Sequence, residues 1–112
     1  MTEVEVYKYI NDEYTKRRGT PEMLVISCAN CLSQVMLYQK DGPGPLIRCY
    51  WDRIHDPLSL KGLNRLKTFP NELICPNCSK LIGQTALYLK EKRLVFVLEN
   101  ESFRLHSYYI VD

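Results

Sequence analysis

The chain has 112 residues, 46% of them hydrophobic and 25% charged, which excludes a wholly disordered polypeptide and suits one globular domain. At that length folding buries about two-thirds of the extended chain's surface, enough for a core that a metal staple would reinforce. A formal net charge of +2 is too small to set up a global field for phosphate, so any nucleic-acid binding needs a local patch.

Residues 1–20 are predicted as an N-terminal segment, helical or an edge strand. Val6, Ile10 and Tyr14 recur at helical spacing with Tyr7 beside them, Glu3 and Glu5 come early, and Lys16, Arg17 and Arg18 come late. That polarity suits the helix dipole, and Gly19 suits a C-terminal cap. E-V-E-V also alternates at period two, which is the strand alternative. No basic start or apolar h-region opens the chain, so no secretory signal and a cytoplasmic address are expected.

Residues 23–112 read as a β domain. Met23–Ser27 and Val35–Tyr38 are apolar runs, and 41–45 (D-G-P-G-P) is a tight reversal. The uncharged run Met23–Gln39 is too short and too polar to span a bilayer, so no membrane partner is expected. Leu46–Ile54 alternates, predicting Ile47, Cys49 and Trp51 on one face and Arg48, Tyr50 and Asp52 on the other. Asp56–Pro70 is loop-like, with Leu58, Leu60, Leu63 and Leu66 as anchors. Thr85–Lys90, Arg93–Leu98 and Ser102–Val111 are separated by short charged turns and predict a meander, with Phe103, Leu105 and Tyr109 on one face of its last strand. The expected fold is mainly β with an N-terminal helix, one domain over residues 1–112.

The chemistry lies in Cys28-Ala29-Asn30-Cys31 and Cys75-Pro76-Asn77-Cys78. A tight turn with two residues between cysteines lets both thiolates face one ion, and two such turns complete a tetrahedral four-sulfur shell. Cys28, Cys31, Cys75 and Cys78 are therefore the expected ligands of one structural Zn²⁺; iron is chemically possible with the same donors. Four thiolates and one Zn²⁺ bring the formal charge to zero. Disulfides do not suit a reducing compartment, and a redox pair would open a helix. The 43 residues between the pairs exceed a compact ribbon, so the expected domain is an antiparallel sheet structure of β-tent or extended zinc-ribbon type. The stretches around the pairs, 24–38 and 73–88, also echo one another: an apolar run, C-x-N-C, a few small or polar residues, then an apolar pair ending in Tyr.

In layout, residues 23–112 resemble the β-tent zinc proteins, a group that includes methionine-R-sulfoxide reductases, Yippee-like proteins and the cereblon ligand-binding domain. C-P-N-C-S-K-L-I-G-Q at 75–84 is similar to the stretch around the reductases' second zinc pair. The resemblance implies a structural zinc and, in some relatives, an aromatic ligand pocket near the metal, for which Trp51 with Tyr50 is the candidate wall. It does not imply reductase activity. Ile82-Gly83-Gln84 stands where that family has a His, and no cysteine follows Cys78 to act as the nucleophile. Arg48-Cys49-Tyr50 lies between the two pairs.

Cys49 reads as a small buried hydrophobe, with a reactive thiol as the alternative. His55 and His106 read as surface or satisfied side chains. The stretch 40–67 interleaves Lys40, Arg48, Arg53, Lys61, Arg65 and Lys67 with Tyr50 and Trp51, a combination that can grip single-stranded nucleic acid or cover a solvated face. The expected function is a non-catalytic zinc module recognising a protein or small ligand through Arg48, Tyr50, Trp51 and Arg53. The alternatives are a nucleic-acid-associated zinc protein and a thiol- or pocket-based enzyme.

Overall fold

The structure is a computed structural model that describes residues 8–108. It is mainly β: one short helix precedes eight strands in two four-stranded antiparallel sheets. The helix, α1, spans Glu13–Arg18. The strands are β1 (Pro21–Cys28), β2 (Gln34–Asp41), β3 (Arg48–Tyr50), β4 (Ile54–Asp56), β5 (Glu72–Ile74), β6 (Leu81–Tyr88), β7 (Arg93–Leu98) and β8 (Phe103–Ser107). One sheet has the order β4-β2-β1-β8 and the other β3-β7-β6-β5.

Among its described residues, the N-terminal segment is helical over a last turn and a half. Asp12 caps it by accepting from the Tyr14 and Thr15 amides, and Gly19 closes it by donating to Thr15 O. The expected acidic start and basic end are present in Glu13 and in Lys16, Arg17 and Arg18. Ile10 precedes the helix and is held as a strand residue would be. The buried Gln39 amide donates to Ile10 O and accepts from Ile10 N, both at 2.7 Å. Val6 and Tyr7 lie outside the described residues.

β1 and β2 are the inner strands of their sheet, and consecutive residues such as Met36, Leu37 and Tyr38 are buried. The period-two expectation for 46–54 fails. A 3-10 turn at Trp51–Arg53 carries the chain from β3 in one sheet to β4 in the other. Cys49, Tyr50 and Trp51 are consequently all buried, whereas Ile47 is 55% exposed. The core joins Ile26, Met36, Tyr38, Trp51, Ile82 and Phe96. Trp51 meets Phe69 and Phe96, each with ring centroids 5.2 Å away.

Two further expectations are corrected. β8 does not extend the β6–β7 hairpin into a meander; it crosses over and pairs with β1, from Cys28↔Phe103 to Leu24↔Ser107. The turn before it is pinned by Ser102, whose hydroxyl donates to Ile82 O and whose carbonyl accepts from Ala29 N, so the chain is steered between the sheets. Tyr109 lies outside the described residues. In the 57–70 loop Leu63 is buried, but Leu58 and Leu66 are 82% and 50% exposed and anchor nothing. No helix among the described residues is long and apolar enough to cross a membrane.

Candidate metal centre and ligand face

Each sheet contributes one cysteine turn. Cys28 ends β1 and Cys31 precedes β2; Cys75 follows β5 and Cys78 precedes β6. The two turns match bond for bond. Cys28 N donates to Ser33 O and Cys75 N to Lys80 O, both at 2.9 Å; Leu32 N donates to Cys28 O and Ser79 N to Cys75 O, again both at 2.9 Å. Leu32 and Ser79, just past the second cysteine of each pair, take the left-handed conformation at φ 65° and 66°. Asn30 N and Asn77 N each donate to the first sulfur of their own turn at 3.4 Å. The echo in the sequence is thus a structural repeat: two hairpins, one from each sheet, facing across the sulfurs.

All four Sγ atoms lie within 4.8 Å of one another. Cys28–Cys78 and Cys31–Cys75 are 3.6 and 3.5 Å apart. A tetrahedron with Zn–S bonds of 2.3 Å has edges of about 3.8 Å, so the cluster has the size that a four-thiolate ion requires. Cys28 and Cys75 are buried and Cys31 and Cys78 half-buried. The asparagines also reach across. Asn30 Nδ2 donates to Cys78 Sγ at 3.4 Å, and Asn77 hydrogen-bonds Cys31. Hydrogen bonds from Asn77 and Ser33 draw the Cys31 thiol down to about 5, and the Asn30 bond lowers Cys78. Burial raises Cys75. These four cysteines could hold a metal ion.

The expected ligand face divides. Trp51 and Arg53 are each 1% exposed and belong to the interior. Trp51 is packed by Phe69 and Phe96, and Arg53 pairs with Asp12 and Asp41. The 3-10 turn that ends β3 rotates both inward. Tyr50, Arg48 and the acid-paired Arg53, but not Trp51, line a cleft of about 100 Å³ between the loop after β2 and the edge strand β3. Tyr50 N donates to Tyr38 Oη at 2.8 Å in the cleft wall. Arg48 lies 4.2 Å over the Tyr88 ring.

Cys49 is fully buried, and burial pushes its thiol well above the ordinary range. His55 is buried, with Nε2 3.1 Å from Gln39 Oε1, and burial together with Lys61 and Arg53 lowers its pKa. His106 is exposed on β8.

The spacing of residues gives no sign of one group, an ionic cluster under α1. Arg53 bonds Asp12 and Asp41; Arg93 bonds Asp52 at 2.5 Å and Glu91 at 3.0 Å; Arg18 bonds Glu91 at 2.5 Å. The Arg93 guanidinium also sits 3.8 Å from the Tyr50 ring and 4.0 Å from the Tyr14 ring.

Fold and site together define a two-sheet β domain with a four-cysteine cluster at the junction of its sheets that could hold a metal ion. Comparison with protein-family models, with curated proteins and with solved structures finds no match.

Proposed function

We propose that the chain is a structural-zinc recognition module. Cys28, Cys31, Cys75 and Cys78 hold one Zn²⁺ as thiolates, and the scaffold so fastened presents a non-catalytic surface to a small ligand or a protein. The observation that carries this reading is the convergence of four sulfurs, two from each sheet, at the spacing of a tetrahedral shell. Four thiolates leave no open position for water or substrate, which makes the role structural. Two antiparallel sheets meeting at a metal apex also support a β-tent-like layout. A reducing compartment such as the cytoplasm suits the site, because it keeps the thiols free for the ion.

A thiol enzyme draws no support from Cys49, whose sulfur is enclosed by the core and held as the neutral thiol. Metal analysis of the purified chain tests the proposal: one zinc per chain is expected. Cys75→Ser should lose the metal and lower the melting temperature together, because metal binding is coupled to folding. Metal-free wild-type protein, or a Cys75→Ser variant with unchanged zinc and melting temperature, would overturn it.

A further inference from the structure

Five cations line the cleft beside β3, namely Arg18, Lys40, Arg48, Arg53 and Arg93, against a single acid, Asp41. They fall into two groups. Arg53 and Arg93 are buried, and their guanidinium nitrogens are already engaged. Arg53 Nε meets Asp41 at 2.8 Å, Nη2 meets Asp12 at 2.5 Å, and Nη1 lies 3.9 Å from Asp52. Arg93 has Nε and Nη2 on Asp52 and Nη1 on Glu91. These two hold the fold.

The other three have capacity left. Among the described residues Lys40 makes one bond, to Gly42 O. Arg48 is stacked on Tyr88 and, like Lys40, makes no ion pair among the described residues. Arg18 is 33% exposed in its side chain and uses Nη2 alone, on Glu91 and Tyr50. Among the described residues its Nε and Nη1 remain as donors. The stack on Tyr88 fixes the plane of the Arg48 fork without consuming its N–H groups, which is how a guanidinium is prepared for a two-toothed oxyanion contact.

We infer that this cleft binds a phosphate-type oxyanion, either free or carried on a small metabolite, with Lys40 and Arg48 supplying the charge and Arg18 further N–H donors. The inference rests on the reading of the domain as a ligand-recognition module and names the ligand class. Two cations without carboxylate partners match a group carrying about −1.5 to −2 at neutral pH better than a singly charged carboxylate. Size agrees. At about 10–15 Å³ per water position, 100 Å³ admits a phosphate group and its attachment, whereas a whole drug-sized ligand needs about 300 Å³ or more. A nucleobase cannot stack on the face of Tyr88 that Arg48 already occupies.

The test is calorimetric titration of the full metal-loaded chain at fixed ionic strength with inorganic phosphate, pyrophosphate, ribose 5-phosphate and a single-stranded oligonucleotide. Saturable binding of at least one small phosphate is expected. Lys40→Gln and Arg48→Gln should each weaken it about tenfold or more, with zinc content and melting temperature retained. Tighter binding of inorganic phosphate identifies a free anion, and tighter binding of ribose 5-phosphate a carried one. No saturable binding below about 10 mM, equal affinity in the Lys40→Gln/Arg48→Gln double variant, or binding of the oligonucleotide alone would overturn the inference. Zinc measured in the same samples separates this failure from failure of the metal assignment.

Discussion

Replacing Arg53 by Met tests whether the ionic cluster holds the sheets together. Arg53 joins three acids that differ in burial: the Asp41 side chain is 5% exposed, those of Asp12 and Asp52 40% and 36%. The two exposed partners contribute about 0–1 kcal/mol each. Asp41 is different, because removing Arg53 leaves a carboxylate enclosed without its counter-ion, a loss of about 3–5 kcal/mol. Met retains much of the apolar stem, so the effect belongs to the charge. Adding Asp41→Asn should restore much of the stability, since the neutral amide oxygen can still accept from Gln39 Nε2 at the 2.9 Å position. Asp12→Asn on the Arg53→Met background should restore little, because Asp12 is partly solvated and Asn also caps helices. Urea denaturation of the metal-loaded protein at pH 7, with the slope checked for constancy, measures all four proteins. A loss below about 1 kcal/mol for Arg53→Met, or no recovery on adding Asp41→Asn, would refute the reasoning.

Gly42→Ala should destabilise the protein by at least about 1 kcal/mol, since Gly42 has φ +81° and an added Cβ would lie 2.1 Å from Arg18 O; thermal melting reads this out, and an unchanged melting temperature contradicts the reading. Asn30→Ala and Asn77→Ala should leave the zinc stoichiometry at one while speeding loss of the ion to a competing chelator, because each removes an N–H donor to a sulfur of the opposite turn; identical release rates would show that these bonds do nothing. His55 should titrate below its usual 6.5. A base whose folded pKa is depressed contributes stability that is complete above the unfolded value and declines as pH falls through the window beneath it, so an NMR midpoint for the His55 ring at or above 6.5 would exclude its burial as the neutral Nε2 donor.

What could be read in the chain depended on the range of the interaction. The cysteine turns were legible because two residues between ligands fix local geometry, and their echo was legible because both copies need the same asparagine and the same reversal. Strands β1, β2, β6 and β7 follow from apolar runs and short turns. The 3-10 turn at Trp51–Arg53 was not legible: R-C-Y-W-D-R-I alternates acceptably as a strand, and only the need to pass from one sheet to the other breaks it. For the same reason Arg53 read as an exposed base, although its three carboxylate partners include Asp12, 41 residues away. Partner choice for β8 was equally hidden, because any edge strand with suitable alternation could have accepted it. Gln39 had no signal at all, since a polar residue at the end of an apolar run ordinarily marks the approach to solvent.

The two sheets are fastened at opposite ends by different chemistry. β1 and β6 each leave or meet a cysteine turn at one end and run eight residues to the other, about 23 Å at the rise of a strand. At that far end Asp41 of β2 and Arg93 of β7 enter the ionic cluster, with Asp12 and Arg18 of the N-terminal segment completing it. A four-thiolate centre is closed and gains nothing from a further ligand. The ionic end is open by construction, because buried arginines already paired to acids leave neighbouring cations at the rim with donors unused. On the proposed reading, the four-cysteine end ties the β1–β2 turn to the β5–β6 turn across the two sheets, and the oxyanion is received at the opposite end, where the charges are not all balanced.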